Sequence, residues 1–353
     1  MRVLVTGASG WIGSAVVPEL IGAGHQVIGL ARSDGSAAAL AAAGAEVLRG
    51  TLDDLDVLGG AAADADGVIH LAYKHEIMFA GRFEEAVDAD RRAVETFGDA
   101  LAGSGRPFVL ASGVVGVVSG RVATERDGLP GSGVPAELEG PQARQGTARL
   151  ALSLAERGVR SSVVRLPPTV HGDGDKGFVA ALVGIAREKG LSGYLGDGAN
   201  RWPAGHVIDA AHLFRLALEQ APAGSALHAN DEEGVPFRSI AEVIGRHLGV
   251  PVASIADEDA AGHFGWMAAF AGRGRLGVEH ADPRAARMAA DPARTPRRPR
   301  QGALLPGRVT GHRAARPARA ARSPEVSGSR RRGPRPTGGT CGRGGRAAVP
   351  RCR

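Results

Sequence analysis

The chain begins with a short apolar run, Met1-Arg-Val-Leu-Val-Thr6, which passes at once into Gly7-Ala-Ser-Gly10-Trp-Ile-Gly13; a helix-like stretch then begins at Ser14. The β-branched run reads as a buried strand. Strand, glycine turn and helix N-terminus, in that order, form a cradle for phosphate. The early glycines permit a tight turn and close approach of the backbone to a pyrophosphate. The last lets helix pack on strand, and the free N–H groups of the helix face the negative charge. The context predicts a dinucleotide site on Gly7, Ser9, Gly10, Trp11, Ile12 and Gly13.

Further along, strand and helix patterns alternate. Strands are predicted at Val3–Thr6, Gln26–Ala31, Glu46–Arg49, Val68–Ala72, Phe108–Ser112 and Ser162–Arg165, with a weaker one at Ala226–Ala229. Helical segments at Ser14–Ala23, Ser36–Ala43, Asp90–Ala102 and Thr147–Arg157 separate them. Repeated βαβ units imply a parallel sheet with helices on both faces. Pro18 falls inside the first helix and predicts a tolerated kink. Residues 115–145, rich in Gly, Pro and charge, read as a long surface loop.

Thr6-Gly7-Ala8-Ser9-Gly10-Trp11-Ile12-Gly13 resembles the signature of the extended short-chain dehydrogenase/reductases, a family of NAD(P)-dependent enzymes that includes nucleotide-sugar epimerases and dehydratases. His70-Leu71-Ala72, Arg165-Leu-Pro-Pro-Thr-Val-His-Gly172 and His206-Val-Ile-Asp209 resemble its other segments in the same order, up to about residue 272. The resemblance implies an α/β fold: a doubly wound parallel Rossmann sheet in residues 1–166 and a small C-terminal substrate lobe in 167–272, with the last sheet strand near 226–229. It also implies that Leu71 and Ala72 border the cofactor. The expected function is an NADP-dependent oxidoreductase acting on a small carbonyl or hydroxyl compound. A nucleotide-sugar epimerase or dehydratase, and a non-catalytic dinucleotide-sensing protein, stay open as alternatives.

Cofactor choice is read at the end of the second strand. There Ala31-Arg32-Ser33 stands where an NAD-preferring site places a carboxylate. This resembles NADP-preferring reductases: the Arg32 guanidinium can pair with a 2′-phosphate, and Ser33 can add a hydroxyl. A solvated Arg32 is the plainer alternative, and Asp34 would favour NAD if the strand ended later. Asp53 falls where the family binds adenine, or else caps a helix.

The reactive centre departs from the family. Its Ser and Tyr-x-x-x-Lys places fall on Gly113, Gly140 and Arg144, with Ser112 beside the first. A guanidinium does not act as a base, so the usual tyrosine–lysine route is absent and catalysis itself is left open. Tyr73, His75 and His171 are the substitute proton donors, with Ser112 and Arg144 as supporting groups. No histidine or cysteine spacing suggests a metal.

No apolar run is long enough to cross a membrane, and the N-terminus enters a strand without a leader, so a cytoplasmic location is expected. Residues 1–272 carry 22 Lys and Arg against 33 Asp and Glu; residues 273–353 carry 21 Arg against 4 Asp and Glu. The net charge of +6 therefore arises in the tail, and the body is not expected to bind nucleic acid. Its partner is a small-molecule substrate; monomer and homodimer are both open. After Phe270 there is no Phe, Trp, Tyr or Ile, so residues 273–353 read as a disordered tail. The tail also reads as a shifted frame. Val278–Ala289 can be encoded so that the next frame ends in Leu-Gly-Trp, and Gln301–Pro306 can hide Lys-Gly-His-Tyr-Phe-Pro.

Overall fold

A computed structural model describes residues 1–118, 121–130 and 143–272. The expectations for the tail, and part of those for the 115–145 loop, lie outside these residues. Six strands form in chain order: β1 (Arg2–Thr6), β2 (Gln26–Ala31), β3 (Glu46–Arg49), β4 (Gly67–His70), β5 (Pro107–Gly113) and β6 (Arg160–Leu166). The lobe contributes β7 (Thr169–His171), β8 (Ser192–Leu195) and β9 (Arg201–His206). The chain then returns to the main sheet as β10 (Ser225–His228). The resulting seven-stranded parallel sheet has the order β10-β6-β5-β4-β1-β2-β3. Chain direction across the sheet reverses at β1, between β2 and β4. Ligands of doubly wound sheets bind in the crevice at such a point, beyond the carboxyl ends of the strands.

Alternation along β1 divides the core. Val3 and Val5 pack with α1 (Gly13–Gly22), α2 (Asp34–Ala42) and α8 (Val207–Gln220) on one face. Leu4 packs with α3 (Leu55–Ala63), α5 (Phe83–Leu101) and α6 (Ala143–Ser153) on the other. The strands are apolar on both faces because both are covered by helices. Pro18 lies within α1.

Helix α5 starts at Phe83, seven residues before the predicted Asp90. Glu84, Glu85 and Asp88 make its first turns look like loop. Ala86, Ala89, Ala93, Val94, Phe97 and Leu101 nevertheless recur at helical spacing and are buried. Arg106 holds two helix ends together: its guanidinium donates to Ala62, Ala63 and Ala65 beyond or at the end of α3, and to Ala100 near the end of α5. A cation there complements both helix dipoles.

The lobe has its own core of Leu182, Trp202, Phe237, Ile244, Phe264 and Met267. It is built on α7 (Phe178–Lys189), α9 (Phe237–Leu248), the short α10 (Ala260–Phe264) and α11 (Ala268–Ala271), and two small sheets. One sheet sets β9 between β7 and β11 (Glu232–Pro236); the other pairs β8 with β12 (Val252–Ile255).

Candidate functional site

A cavity of about 980 Å³ opens at the carboxyl ends of β1, β2, β4 and β5 and extends to the lobe. Its size is at the upper end of ordinary ligand sites, with room for a large cofactor and a substrate together. Gly7, Ser9, Gly10, Trp11, Ile12 and Gly13 line one wall, with Leu71 and Ala72 beside them.

The glycines are fixed by space. Gly7 has φ of +65°, and a Cβ there would lie 2.7 Å from the Ala72 nitrogen. A Cβ on Gly13 would come within 2.5 Å of the Ala8 carbonyl oxygen. No side chain caps α1 at Ile12; the Ser14 amide donates to the Gly10 carbonyl at 2.8 Å, joining the glycine turn to the helix. Trp11 donates its indole N–H to the Val170 carbonyl at 3.0 Å, tying the glycine turn to β7. Beneath the cradle lie the buried Thr6 and His70. Thr6 Oγ1 is 2.5 Å from His70 Nδ1 and accepts the Ala72 N–H, which sets the end of β4 against the turn.

Arg32 lies at one end of the cavity, and its guanidinium meets Glu76 at 2.5 Å. Asp34, the rival carboxylate, instead receives Arg49 at 2.8 Å. Ser33 is not on the cavity wall. It caps α2, exchanging hydrogen bonds with Ser36. Asp53 lines the cavity and is held by Lys74 at 2.7 Å. It does not cap α3: the adjacent Asp54 occupies the N-cap position, and its carboxylate accepts from Thr51 instead.

The other end gathers the expected reactive groups. Arg144 donates to the Ala111 carbonyl at 3.1 Å, which places its guanidinium 4.2 Å from the centre of the Tyr73 ring. The Tyr73 ring meets His75 edge-on at 5.1 Å. Burial raises the Tyr73 phenol above its usual range, with the Arg144 charge partly opposing this. His75 is open to the cavity yet crowded by protein. That crowding, with the Arg144 charge, lowers its imidazole to about 4. At neutral pH, Tyr73 therefore holds its proton and His75 is uncharged. Ser112 is 2% exposed and lines the cavity, and its hydroxyl has no hydrogen-bond partner among the described residues. Gln145 fixes the loop beyond β5 by donating to Gly113 and Val115 carbonyls at 2.9 and 3.2 Å.

His171 does not line the cavity. Side chains alternate along β7: Val170 faces the cavity, whereas His171 packs against His206 at 5.4 Å. Sequence reasoning missed the short helix α4 (His75–Phe79), and with it Lys74 and Glu76 as partners of Asp53 and Arg32. It also missed the aromatic wall of the lobe. Phe178, Trp266 and Phe270 line the cavity, with ring centres 4.8–6.1 Å apart. The aromatic residues there were visible in the sequence; their convergence was not. Among the described residues, no group of three or more His, Cys, Asp or Glu is arranged to hold a metal ion.

The family model described as NAD dependent epimerase/dehydratase matches residues 3–229. An uncharacterized protein of Schizosaccharomyces pombe is 46% identical over 272 residues, covering 76% of this chain and 88% of its own length. The 2-alkyl-3-oxoalkanoate reductase of Stenotrophomonas maltophilia is 27% identical over 259 residues, covering 71% and 77%. In fold the chain is similar to MoeE5 in complex with UDP-glucuronic acid and NAD. The TM-score is 0.59 at 24% identity, over 82% of this chain and 92% of that one.

Proposed function

The chain belongs to the NAD dependent epimerase/dehydratase family, and from that premise we propose that it is an NADP-dependent oxidoreductase acting on a small carbonyl or hydroxyl compound. The observation that carries the reading is the continuity of one cavity from the glycine cradle to Tyr73, Ser112 and Arg144. The cradle fits a dinucleotide: the tight turn that exposes its backbone forms only with glycine at Gly7 and Gly13, where a Cβ would overlap neighbouring backbone, and the α1 N-terminus suits a pyrophosphate. Arg32 would receive the 2′-phosphate and Asp53 would border the adenosine. A bound nicotinamide supplies or accepts hydride.

The protein's own part is proton transfer and orientation. Tyr73, held protonated, donates to the substrate oxygen in reduction and recovers its proton from solvent. Ser112 keeps a buried, unpartnered hydroxyl at the same end, a polar group just beneath the wall that faces that oxygen. Arg144 fixes the Tyr73 ring and lends positive charge as the phenol ionises. Phe178, Ala181, Trp266 and Phe270 give the substrate end an apolar wall, which favours a carbonyl compound with apolar substituents over a nucleotide sugar. The relative that reduces a 2-alkyl-3-oxoalkanoate has a substrate of that kind. NADPH oxidation across a panel of alkyl and aryl ketones tests the reading. Turnover of a ketone supports it. Turnover of a nucleotide sugar alone would move it to the epimerase and dehydratase class. Cofactor binding with no turnover of either would favour a sensor.

A further inference from the structure

The Arg32–Glu76 pair bridges two parts of the cavity wall: the end of β2 and the first turn of α4. Both side chains are largely exposed, at 70% and 56%. Glu76 is the ion-pair partner of Arg32 among the described residues. The neighbouring cation, Arg49, is already engaged by the Ser33 carbonyl and Asp34. The guanidinium hydrogen bond holds the Glu76 carboxyl below its usual range, so it is anionic at neutral pH.

We propose that Glu76 is a specificity-determining residue of the cofactor site: its carboxylate occupies Arg32 in place of a ribose 2′-phosphate and must be displaced when one binds. This rests on the reading of Arg32 as the 2′-phosphate partner. The chemistry follows from competition. A guanidinium satisfied by a carboxylate must exchange it for a phosphate, and the freed carboxylate then stands close to the incoming dianion. An exposed pair is weak enough to exchange, yet still lowers the affinity of its competitor. A cofactor without the 2′-phosphate makes no claim on Arg32 and leaves the pair closed. Glu76 thus moderates a preference for NADP that Arg32 alone would make stronger.

The test is calorimetric titration of the full chain with NADPH, NADH, adenosine 2′,5′-bisphosphate and 5′-AMP. Glu76→Gln and Glu76→Ala should each raise affinity for the two 2′-phosphorylated ligands about three- to tenfold, while NADH and 5′-AMP are unchanged. The gain should fade near 1 M salt, where the screening length is about 3 Å. Unchanged affinity for the 2′-phosphorylated ligands, or an equal gain for all four, would overturn the proposal. Arg32→Ala separates the two readings. If it lowers NADPH affinity while the Glu76 variants change nothing, only the role of Glu76 falls. If it leaves NADPH affinity unchanged, the 2′-phosphate reading falls, and this proposal with it.

Discussion

Replacing Gly7 by alanine tests whether the cradle is built by backbone sterics. The left-handed conformation at φ +65° costs a residue with a Cβ about 1–2 kcal/mol. The new Cβ would also lie 2.7 Å from the Ala72 nitrogen and 2.9 Å from the Ala72 Cα and the Leu71 carbonyl carbon. These are backbone atoms of the half-buried segment just beyond β4 and cannot rotate away as a side chain would, so overpacking adds about 1–3 kcal/mol. Together Gly7→Ala should destabilise the fold by about 2–5 kcal/mol, a large part of a typical total of 5–15 kcal/mol. Gly10→Ala is the internal control. Its Cβ meets only the Gly7 carbonyl, at 3.1 Å, and its φ is ordinary, so it should cost less than about 1 kcal/mol. Urea unfolding reads the difference: with a slope of about 2–3 kcal/mol/M, Gly7→Ala should lower the midpoint by about 1–2 M. Relief by parting Ala72 from the turn would also weaken dinucleotide binding. Equal midpoints for the two variants would refute the steric reasoning.

Other expectations follow from the same geometry. Tyr73→Phe should lower ketone reduction by about 10²- to 10⁴-fold with NADPH affinity unchanged; parental rates in both Tyr73→Phe and His75→Ala would place the donor elsewhere. Burial lowers His228 to about 4, with the Arg165 charge adding to this and Glu125 and Asp127 opposing it. Its folded value lies below the unfolded one near 6.5, so its contribution is complete above that pH and is lost as pH falls toward 4. His228→Asn should therefore lessen the fall in stability between about pH 6.5 and 4, leaving the share contributed by His75, which burial lowers in the same way. For residues 273–353, we propose a shifted frame. Sequencing the gene and moving the frame by one base near codon 273 should give Leu-Gly-Trp followed by a Lys-Gly-His-Tyr-Phe-like end, and nucleotides encoding neither would show the tail to be native.

The sequence disclosed what short-range pattern controls. All seven strands of the main sheet were legible from apolar residues bounded by turn signals, although Glu46–Arg49 and Ser225–His228 hold only two apolar residues each. The glycine turn was legible because its spacing follows from the contacts its own backbone makes. The charged start of α5 hid its buried stripe, and the lobe's small sheets were missed. Long-range pairing was hidden as well. Arg32 and Glu76 are 44 residues apart, and Lys74 and Asp53 are 21 apart. Nothing local distinguishes such a pair from two solvated charges. Phe178, Trp266 and Phe270 likewise meet only because α7 and the end of the described chain fold over one opening. His171 was singled out from a motif that fixes its position in the chain but not the side of β7 it takes.

The four residues after Ala72 alternate in what they serve. Tyr73 and His75 face the Arg144 end, whereas Lys74 and Glu76 are tied to Asp53 and Arg32. A single inserted or deleted residue here would break both sets of contacts, parting Tyr73 and His75 from Arg144 and Lys74 and Glu76 from Asp53 and Arg32. Point substitution can tune either set alone, but a change of length alters both at once. Lineages of this protein should therefore hold the number of residues across 73–76 fixed even where Lys74 or Glu76 is replaced.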